Sequence, residues 1–441
     1  MENKLDLIVC KFGGSSVSSV EKFKKIKEII SSDERRRIIV TSAIGKSKAS
    51  DNKITDLLYL LHAHVEYNVN YDSIFNNIKT RYLKIRDDLN LDLNLEEEFD
   101  NILNNINDYS LDYLVSRGEY LSGLLLSKYL GYSFLDSKDV IKFDYNGKVD
   151  YEETKKAFDK LYKKGMKVVI PGFYGSYPNG DIKLFSRGGS DITGSIMAKI
   201  CKALRYENYT DVNGFYMASP KIINNPLLIK EITYNELREL SYMGASVIHE
   251  EAIFPIQENN IPLYILNTDK PNEIGTIITK DNNDKNNIIT GIAGKKDFMA
   301  FNIIKNKNSS KLEVINFVLN ILKKFNVKVE SIPSSIDSFS IVVSESDVNK
   351  YMYDIIALIK SSLDIEEVTV SHNIALIAIV GKNMVYKPGI SAKIFSIFGN
   401  NNINIKLISQ NINELSIIVG VENEDFEKAI TCVYDEMVNK K

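Results

Sequence analysis

Apolar residues along the first two thirds of the chain fall into short continuous runs separated by longer helical patterns. Residues 5 to 12 form the first run. Later runs of the same kind are "RIIVTSA", "MKVVIPGFYG" and "IPLYIL". Between the runs, apolar residues recur three or four positions apart, as they do from Val20 to Ile30, where Ser18 and Glu21 predict a capping box. Strands that alternate with helices predict an α/β fold whose mostly parallel sheet is sandwiched by helices.

The pattern changes near residues 279 to 287, where the polar stretch "TKDNNDKNN" predicts a linker. Beyond it the order strand, helix, strand, strand occurs twice, and a helix closes the second copy. Such a repeat predicts two ferredoxin-like βαββαβ modules. We therefore divide the chain into a first domain of residues 1–285 and two smaller domains of residues 286–368 and 369–441.

Composition places the chain among ordinary globular proteins. Of its 441 residues, 44% are hydrophobic and 26% are charged. The net charge of −3 gives no electrostatic reason to expect a nucleic acid or an anionic membrane as a partner. The basic cluster Arg35-Arg36-Arg37 precedes an apolar run, so we expect it to form a solvated turn before a strand.

Cysteine usage and the N-terminus bear on location. Cys10, Cys201 and Cys432 are far apart, so they predict neither a disulfide framework nor a metal site, and they fit a reducing cytosol. The N-terminus lacks the charged and apolar regions of a signal peptide. No apolar run approaches the ~20 residues that span a bilayer. We therefore expect a cytoplasmic protein that holds no metal by its own side chains.

Two glycine pairs, each followed by serine, precede predicted helices. The first pair, at residues 13–15, follows Lys11, and the second, at residues 188–190, follows Arg187. Glycine amides and helix N-termini attract anions. A lysine beside them would neutralise a transferring phosphoryl group, and an arginine could grip a carboxylate. The alternative for the first pair is a tight turn with a solvated lysine. A P-loop is excluded because its lysine follows the glycines.

Three acidic residues lie at predicted strand ends or on helices. Asp191 follows the second glycine pair, where helix capping is the alternative to catalysis. Glu119 lies in "VSRGEYLSG", where a solvated helix residue is the commoner interpretation. Asp211 follows Thr210 at a predicted strand end, a position shared by ligands and turn formers. Cations, glycine amides and Mg²⁺ suffice for phosphoryl transfer, so these groups together predict that reaction.

In this order, the motifs "KFGGSSV", "LVSRGEYLSGLLL", "PGFYGS", "SRGGSD" and "YTDVNGFY" resemble those of the aspartate kinase (aspartokinase) family of the amino-acid kinase superfamily. The two C-terminal repeats resemble the paired ACT domains of that family, which bind regulatory amino acids. The resemblance covers residues 5 to 435. It implies ATP- and Mg²⁺-dependent phosphorylation of the L-aspartate side chain to 4-phospho-L-aspartate, the first step towards lysine, threonine and methionine.

The resemblance also assigns roles to residues of the first domain. It implies that Lys11 acts at the transferring phosphoryl group and that Asp191 orients Lys11, so that both are catalytic. Glu119 would bind the ammonium group of aspartate, and Arg187 its α-carboxylate. The other implied substrate-binding residues are Thr55, Phe173 and Ser190. The implied ATP-binding residues are Gly13, Gly14, Ser15, Ser42, Thr210, Asp211, Tyr216 and Lys221.

The chain departs from the family pattern at three places. Ser246 stands where many members have lysine, and Ser219-Pro220-Lys221 stands where Asp-Pro-Arg is usual, so we expect altered ATP affinity. The first ACT unit lacks the glycine often found before its helix. We expect an amino-acid effector there, lysine being favoured and threonine being possible. It would contact Asn308, Lys311, Leu312, Val329, Glu330 and Ser335, although Glu330 fits an exposed residue equally well.

The family pattern further implies that the segment 288–296 pairs with the second ACT unit. ACT sheets commonly join side by side, so we expect a homodimer or a higher homo-oligomer through these domains. We expect no fused homoserine dehydrogenase, since no second Rossmann block or G-x-G-x-x-G occurs in the sequence. Two alternatives stay open. One is a kinase acting on glutamate, acetylglutamate or a nucleotide, and the other is an amino-acid sensor that keeps the fold without catalysis.

Overall fold

The computed structural model of the chain describes residues 6–46, 51–186, 188–245, 247–282, 287–410 and 415–439. The chain forms two compact units. The first comprises Met1–Phe215, Leu228–Tyr234 and Val247–Asn282, and the second comprises Tyr216–Leu227, Asn235–Ser246 and Asn283–Lys441. Two short segments before residue 285 therefore group with the C-terminal unit. The division into three domains stays a prediction.

The part of the chain up to residue 282 contains a large sheet, a small hairpin and the helices around them. Its strands are β1 (Ile8–Phe12), β2 (Arg36–Thr41), β3 (Ser133–Phe134), β4 (Val168–Pro171), β5 (Tyr174–Ser176), β6 (Ile182–Leu184), β7 (Arg205–Thr210), β8 (Glu231–Thr233), β9 (Leu263–Asn267) and β10 (Thr276–Thr279). Its α-helices are α1 (Val20–Ser31), α2 (Ile54–Glu66), α3 (Asp72–Asp88), α4 (Leu95–Asn104), α5 (Leu111–Leu130), α6 (Ser137–Val140), α7 (Tyr151–Leu161), α8 (Gly189–Ile200), α9 (Tyr234–Tyr242) and α10 (Phe254–Glu258).

The large sheet has eight strands in the order β3-β4-β2-β1-β7-β9-β10-β8. All neighbouring strands are parallel except β9 and β10. This confirms the predicted mostly parallel sheet. The strand order reverses between β1 and β7, and ligands of open parallel sheets bind beyond the carboxyl ends of strands at such a point. Since β1 ends at Phe12, the first glycine pair lies there.

The central strands are apolar because helices cover both faces of the sheet. Every residue of β1 and β4 is buried, as are the last four residues of β2. The helix α1 buries Phe23, Ile26 and Ile30, as their spacing predicts. Its N-cap is Ser19, which accepts a hydrogen bond from the N–H of Lys22. The predicted capping box at Ser18 is therefore wrong by one residue.

One buried carboxylate ties three central strands together. Glu207 on β7 is 1% exposed and accepts hydrogen bonds from Arg36 on β2 and from Arg205, in each case at 2.8 Å from the arginine Nε. The hydroxyl of Tyr209 and the thiol of Cys10 on β1 also donate to it. Although burial opposes ionisation, the hydrogen bonds and charges of the two arginines hold the pKa of Glu207 below its ordinary value.

This cluster corrects one expectation from the sequence. The expected solvated turn at Arg35-Arg36-Arg37 is wrong for Arg36. This residue is the first of β2, and its side chain is 12% exposed. Arg35 pairs with Asp33 at 2.7 Å beside that turn. A charged triplet in front of an apolar run contains no signal for a partner 171 residues away.

The substitution Glu207→Gln is expected to lower the free energy of unfolding by about 3 kcal/mol at pH 7, because it leaves two arginines without their buried counter-charge. The folded-state pKa of Glu207 is lowered, so its stabilisation is present above the unfolded value of 4.5 and is lost as the pH falls through the folded value. The difference in free energy of unfolding between this variant and wild type should therefore become smaller below about pH 4. Urea unfolding at pH 7 and pH 3.5 measures it.

The matched control is Glu34→Gln, which removes an ion pair with Lys167. The side chain of Glu34 is 78% exposed. That change should have little effect on the free energy of unfolding at either pH, because solvent screens an exposed ion pair. Equal destabilisation by the two variants would show that burial of Glu207 does not matter.

The C-terminal unit contains a six-stranded sheet in the order β12-β13-β11-β14-β16-β15. Its strands are β11 (Gly291–Lys305), β12 (Val329–Ser331), β13 (Ser338–Ser344), β14 (Ile365–Val380), β15 (Leu407–Gln410) and β16 (Ser416–Glu422). Its further helices are α11 (Lys311–Lys324), α12 (Glu345–Val348), α13 (Met352–Lys360), α14 (Ile390–Asn400) and α15 (Phe426–Tyr434). Within the part of the chain that the structure covers, no helix is both long and apolar enough to cross a membrane.

Two long antiparallel strands, β11 and β14, are shared by both ferredoxin-like modules. Gly291–Lys295 pair with Leu376–Val380, whereas the C-terminal half of β11 pairs with β13 and the first half of β14. The register shifts between Lys295 and Phe298, and Asp297 there has a φ of 66°. Each half of a long strand thus completes a different βαββαβ module, and the predicted pair of modules is confirmed.

Candidate active site

The residues predicted for the site follow the carboxyl ends of four parallel strands. These strands are β1, β2, β4 and β7, which end at Phe12, Thr41, Pro171 and Thr210. Because parallel strands present these ends at the same edge of a sheet, the loops after them meet. The predicted residues carried by these loops or strand ends are Lys11, Gly13, Gly14, Ser15, Ser42, Phe173, Thr210 and Asp211.

The centre of the site is an ion pair between Lys11 on β1 and Asp191 in the first turn of α8. Lys11 Nζ lies 2.6 Å from Asp191 Oδ1, and the two side chains are 9% and 13% exposed. The helix α8 begins after Gly188, whose φ of 61° suits glycine, and no side chain caps it. The carboxylate of Asp191 therefore pairs with lysine instead of capping the helix. A buried cation beside an uncapped helix start can bind an anion.

The first glycine pair brings the chain close to Lys11. A Cβ atom on Gly13 would lie 3.4 Å from Lys11 Nζ, and a Cβ atom on Gly14 would lie 3.0 Å from the carbonyl oxygen of Ala43. The N–H of Gly13 donates to the carbonyl of Tyr209 at 3.0 Å, so it is already used. A 3-10 helix follows at Gly14–Val17 without a side-chain cap. Its first N–H groups have no partner within the helix, so they can bind phosphate oxygens.

Two residues that the sequence analysis did not select hold this turn in place. The N–H of Gly45 donates to the carbonyl of Gly14 at 2.9 Å, and a Cβ atom on Gly45 would lie 2.5 Å from that carbonyl. Arg81 on α3 donates to the carbonyl of Gly45 and to that of Asn52, the latter at 2.7 Å. A lone arginine on an amphipathic helix gives no sequence signal for this role.

Glu119 is a buried carboxylate on α5 with an unused acceptor. It is 4% exposed, so it is not a solvated helix residue. Burial raises the pKa of Glu119 to about 8, although a hydrogen bond from the backbone at Ala43 and the charge of Lys11 oppose the rise. Its Oε2 atom is buried and has no hydrogen-bond partner among the residues described. Such an orphan costs free energy, and a ligand cation would satisfy it.

The loop after β4 packs against the start of α8. Phe173 has a φ of 77°, which is strained for a side chain of its size, and its N–H donates to Thr193 Oγ1 at 3.1 Å. A Cβ atom on Gly172 would lie 2.6 Å from Ser190 Oγ, and a Cβ atom on Gly189 would lie 2.5 Å from the Phe173 ring. The glycines therefore permit the contact that brings Phe173 and Ser190 together.

The end of β7 is bonded to the glycine turn through a residue that the sequence analysis also missed. Thr268 donates its N–H to the carbonyl of Thr210 at 3.0 Å, and its hydroxyl lies 2.7 Å from Ser16 Oγ. Thr210 in turn donates to Asp211 Oδ1 at 3.1 Å. Thr55 lies in the first turn of α2, which has no side-chain cap.

Four further predicted or discussed residues lie outside the described residues or in the C-terminal unit. Arg187 and Ser246 lie outside the residues that the structure describes. Tyr216 and Lys221 belong to the C-terminal unit, where Tyr216 is half-buried and Lys221 is exposed. Their predicted roles at the nucleotide stay predictions.

The predicted effector residues lie just before or at the start of α11, on β12, or in the segment after β12. Lys311 donates from Nζ to the carbonyl of Ser335, which brings two of the six together. Leu312 is 77% exposed, and Asn308 and Ser335 are exposed as well. Val329 and Glu330 lie half-buried on β12. Their predicted role in binding an effector stays a prediction.

Comparisons with known proteins agree with this architecture. The amino acid kinase family matches residues 6–267, and the ACT domain matches residues 377–437. Aspartokinase 3 of Bacillus subtilis is 32% identical over 97% of this chain and 98% of its own length. The crystal structure of Clostridium acetobutylicum aspartate kinase is 44% identical, with a TM-score of 0.90, over 99% of this chain and 100% of that one.

A more distant solved protein shares the fold. Escherichia coli aspartokinase III, solved with aspartate and ADP and also with lysine and aspartate, has a TM-score of 0.78 at 23% identity over 98% of this chain and at least 99% of its own. Against the bifunctional aspartokinase/homoserine dehydrogenases of plants, the chain spans about half of their length.

The parallel sheet, the lysine at its edge and the two ACT modules define a kinase of the amino acid kinase class with a C-terminal regulatory part. Within that class, the chain belongs to the aspartokinase family. The resemblance noted in the sequence is thereby confirmed.

The buried Glu119 predicts an unusual dependence of stability on pH. Without ligand, Glu119→Gln is expected to unfold at a higher temperature than wild type at pH 8.5 and at the same temperature below pH 4.5. The folded-state pKa is raised from 4.5 to about 8, so the stabilisation from this group is full below 4.5 and is lost as the pH rises through 8. Thermal unfolding across this range measures it.

The exposed Glu28→Gln on α1 is the matched control and should show no such trend. A difference between Glu119→Gln and wild type that stays constant with pH would mean that Glu119 ionises normally in the folded chain.

Proposed function

We propose that the protein transfers the γ-phosphoryl group of ATP to the side-chain carboxylate of L-aspartate, giving 4-phospho-L-aspartate and ADP. The observation that carries this proposal is the Lys11–Asp191 pair, together with the buried Oε2 atom of Glu119, which has no hydrogen-bond partner among the described residues. One cation is available for a phosphoryl group and one buried acceptor for an ammonium group. An amino acid whose side chain is phosphorylated needs this combination.

The transfer requires positioning and charge neutralisation more than covalent chemistry. An oxygen of the aspartate side chain bonds to the γ-phosphorus atom, and the bond from that atom to the bridging oxygen of ADP breaks. Lys11 donates to the oxygens of the moving group and offsets their charge. Asp191 holds Lys11 Nζ in place at 2.6 Å, and the amides of Gly14 and Ser15 bind phosphate oxygens.

The substrate amino acid is bound by opposite charges at its two ends. Glu119 takes the ammonium group, which supplies the missing partner of Oε2. Arg187, with Ser190 at the uncapped start of α8, takes the α-carboxylate. Thr55 and Phe173 complete the substrate pocket.

We propose that Thr210, Asp211, Tyr216 and Lys221 bind the ribose and adenine of ATP, with Ser42 on the phosphate side. Mg²⁺ enters bound to the phosphates of ATP, where it offsets their charge. Across the ranges that the structure covers, no three His, Cys, Asp or Glu side chains form a group that could hold a metal ion. The free cysteines Cys10, Cys201 and Cys432 support a cytoplasmic location.

We further propose feedback regulation by L-lysine, with L-threonine as the alternative effector, in a pathway towards lysine, threonine and methionine. Lysine is a ligand of Escherichia coli aspartokinase III, whose fold this chain shares. The effector would lie at the start of α11, near Lys311 and Glu330. A homodimer through the ACT sheets would cover the short edge strands β12 and β15.

The kinase assay tests these proposals together. With Mg·ATP, the purified chain is expected to release ADP much faster with L-aspartate than with L-glutamate, and L-lysine should suppress the release. Lys11→Met keeps the aliphatic stem and removes the charge, so kcat should fall by a factor on the order of 10²–10³. Thermal unfolding verifies that the variant is folded.

Lys156→Met, which removes an exposed ion pair with Glu153 on α7, is the control and should leave kcat unchanged. A preference for glutamate, or no ADP from folded wild type, would refute aspartate phosphorylation and leave another kinase or a silent sensor. Aspartate-dependent ADP formation that ignores lysine would refute only the choice of effector.

A further inference from the structure

We propose that Asn208 is a positioning residue for phosphoryl transfer, because its side-chain amide fixes the Asp191 carboxylate that holds Lys11. The inference rests on the function proposed above. No motif in the sequence singles out Asn208, which lies on β7 two residues before the strand ends.

Two side chains, those of Asn208 and Lys11, contact the same oxygen atom of Asp191. Asn208 is the register partner of Lys11 across the parallel strands β1 and β7, and both side chains reach Asp191 on α8. Asn208 Nδ2 donates to Asp191 Oδ1 at 2.9 Å, and Lys11 Nζ lies 2.6 Å from the same oxygen. Measured over the whole residue, Asn208 is 2% exposed and Lys11 is 7% exposed. The contact is therefore inside the protein, where hydrogen bonds are strongest.

An asparagine at this position calls for an explanation. Central strands of parallel sheets are typically apolar on both faces, and a buried amide without a hydrogen-bond partner is destabilising. Asn208 donates from its side-chain amide to the carboxylate of Asp191, and this hydrogen bond explains the polar residue at a buried position. An asparagine that served only the packing of this strand would not need to contact the Lys11–Asp191 pair.

The same strand also fixes the backbone of Asp191. The hydroxyl of Tyr206 donates to the carbonyl oxygen of Asp191 at 3.1 Å. Gly194 on α8 permits this contact, because a Cβ atom there would lie 2.4 Å from the Tyr206 hydroxyl oxygen. β7 thus holds Asp191 at two points, the backbone through Tyr206 and the side chain through Asn208.

The donor on Asp191 is neutral, and this matters for the reaction. The neutral amide restrains the carboxylate of Asp191 without competing with Lys11 for its negative charge. The ion pair between Lys11 and Asp191 is therefore kept. Without the amide, the carboxylate could rotate and exchange its two oxygens, and Lys11 Nζ would lose its fixed position. A misplacement of about 1 Å at a reacting centre can cost roughly 10²-fold in rate.

The test is the substitution Asn208→Leu, which keeps the shape of the side chain and removes the donor. We expect kcat for aspartate-dependent ADP formation to fall at least about tenfold, while the KM values for ATP and aspartate stay within about twofold. Asn208→Asp, which puts a carboxylate opposite Asp191 and competes for Lys11, should lower kcat further. If the leucine variant does not fold, Asn208→Ser is used, whose hydroxyl ends short of the amide position.

Asn302→Leu is the matched control. Asn302 lies on β11 in the C-terminal unit, donates from Nδ2 to Ser371 Oγ at 2.9 Å and accepts from Ser340 Oγ at 2.8 Å, so the same substitution removes hydrogen bonds of a polar strand residue that belongs to the other unit. Its kcat should equal that of wild type. A kcat for folded Asn208→Leu within twofold of wild type would overturn the inference, and so would a change confined to KM.

A crystal structure of Asn208→Leu supplies a reading that does not depend on activity. A rotated Asp191 carboxylate or a displaced Lys11 Nζ is expected, and an unchanged pair would overturn the inference. Wild type that forms no ADP with aspartate would refute the proposed function instead, so the two failures are distinguishable.

Discussion

The ion pair between Lys11 and Asp191 is the interaction on which the rest of the site depends. It joins the end of β1 to the start of α8 at the point where the strand order reverses. A buried charge must be paired, so neither residue can change without leaving the other uncompensated. The glycine pairs beside them allow the backbone to come close. Strand ends, helix starts and close turns therefore converge on one cation, as phosphoryl transfer requires.

Two features of the site are unfavourable in free energy, and the rest of the fold must offset them. The Oε2 atom of Glu119 is buried with no partner in the part of the chain that the structure describes, and Phe173 has a strained left-handed backbone. Such features persist only where the rest of the structure determines them, and they concentrate at functional sites. The Glu207 cluster on the same sheet supplies stability of the opposite kind, because every charge in it is paired. The same sheet therefore carries a cluster of paired charges and a site whose strained and unsatisfied groups a ligand would complete.

Sequence patterns predicted what depends on local order along the chain. The alternation of strands and helices was sufficient for the fold class, and the glycine pairs singled out Lys11 and Asp191 as candidates, whose catalytic roles stay predictions. They could not reveal contacts that depend on register or on distant packing. Asn208 lies opposite Lys11 because β1 and β7 are neighbours, and Arg36 meets Glu207 across 171 residues. Arg81 gives no local signal at all, since its partners are backbone carbonyls on another segment.

The most direct test of the account is the proton balance of aspartate binding. Burial raises the pKa of Glu119 to about 8, and pairing with an ammonium group would lower that pKa again, so binding should release a proton. Calorimetric titration of L-aspartate into the protein with Mg·ADP, in two buffers of different ionisation enthalpy, measures this release. We predict about one proton released at pH 6.5 and none above about pH 9, with Glu119→Gln releasing none. Aspartate binding to wild type at pH 6.5 without proton release would contradict the account.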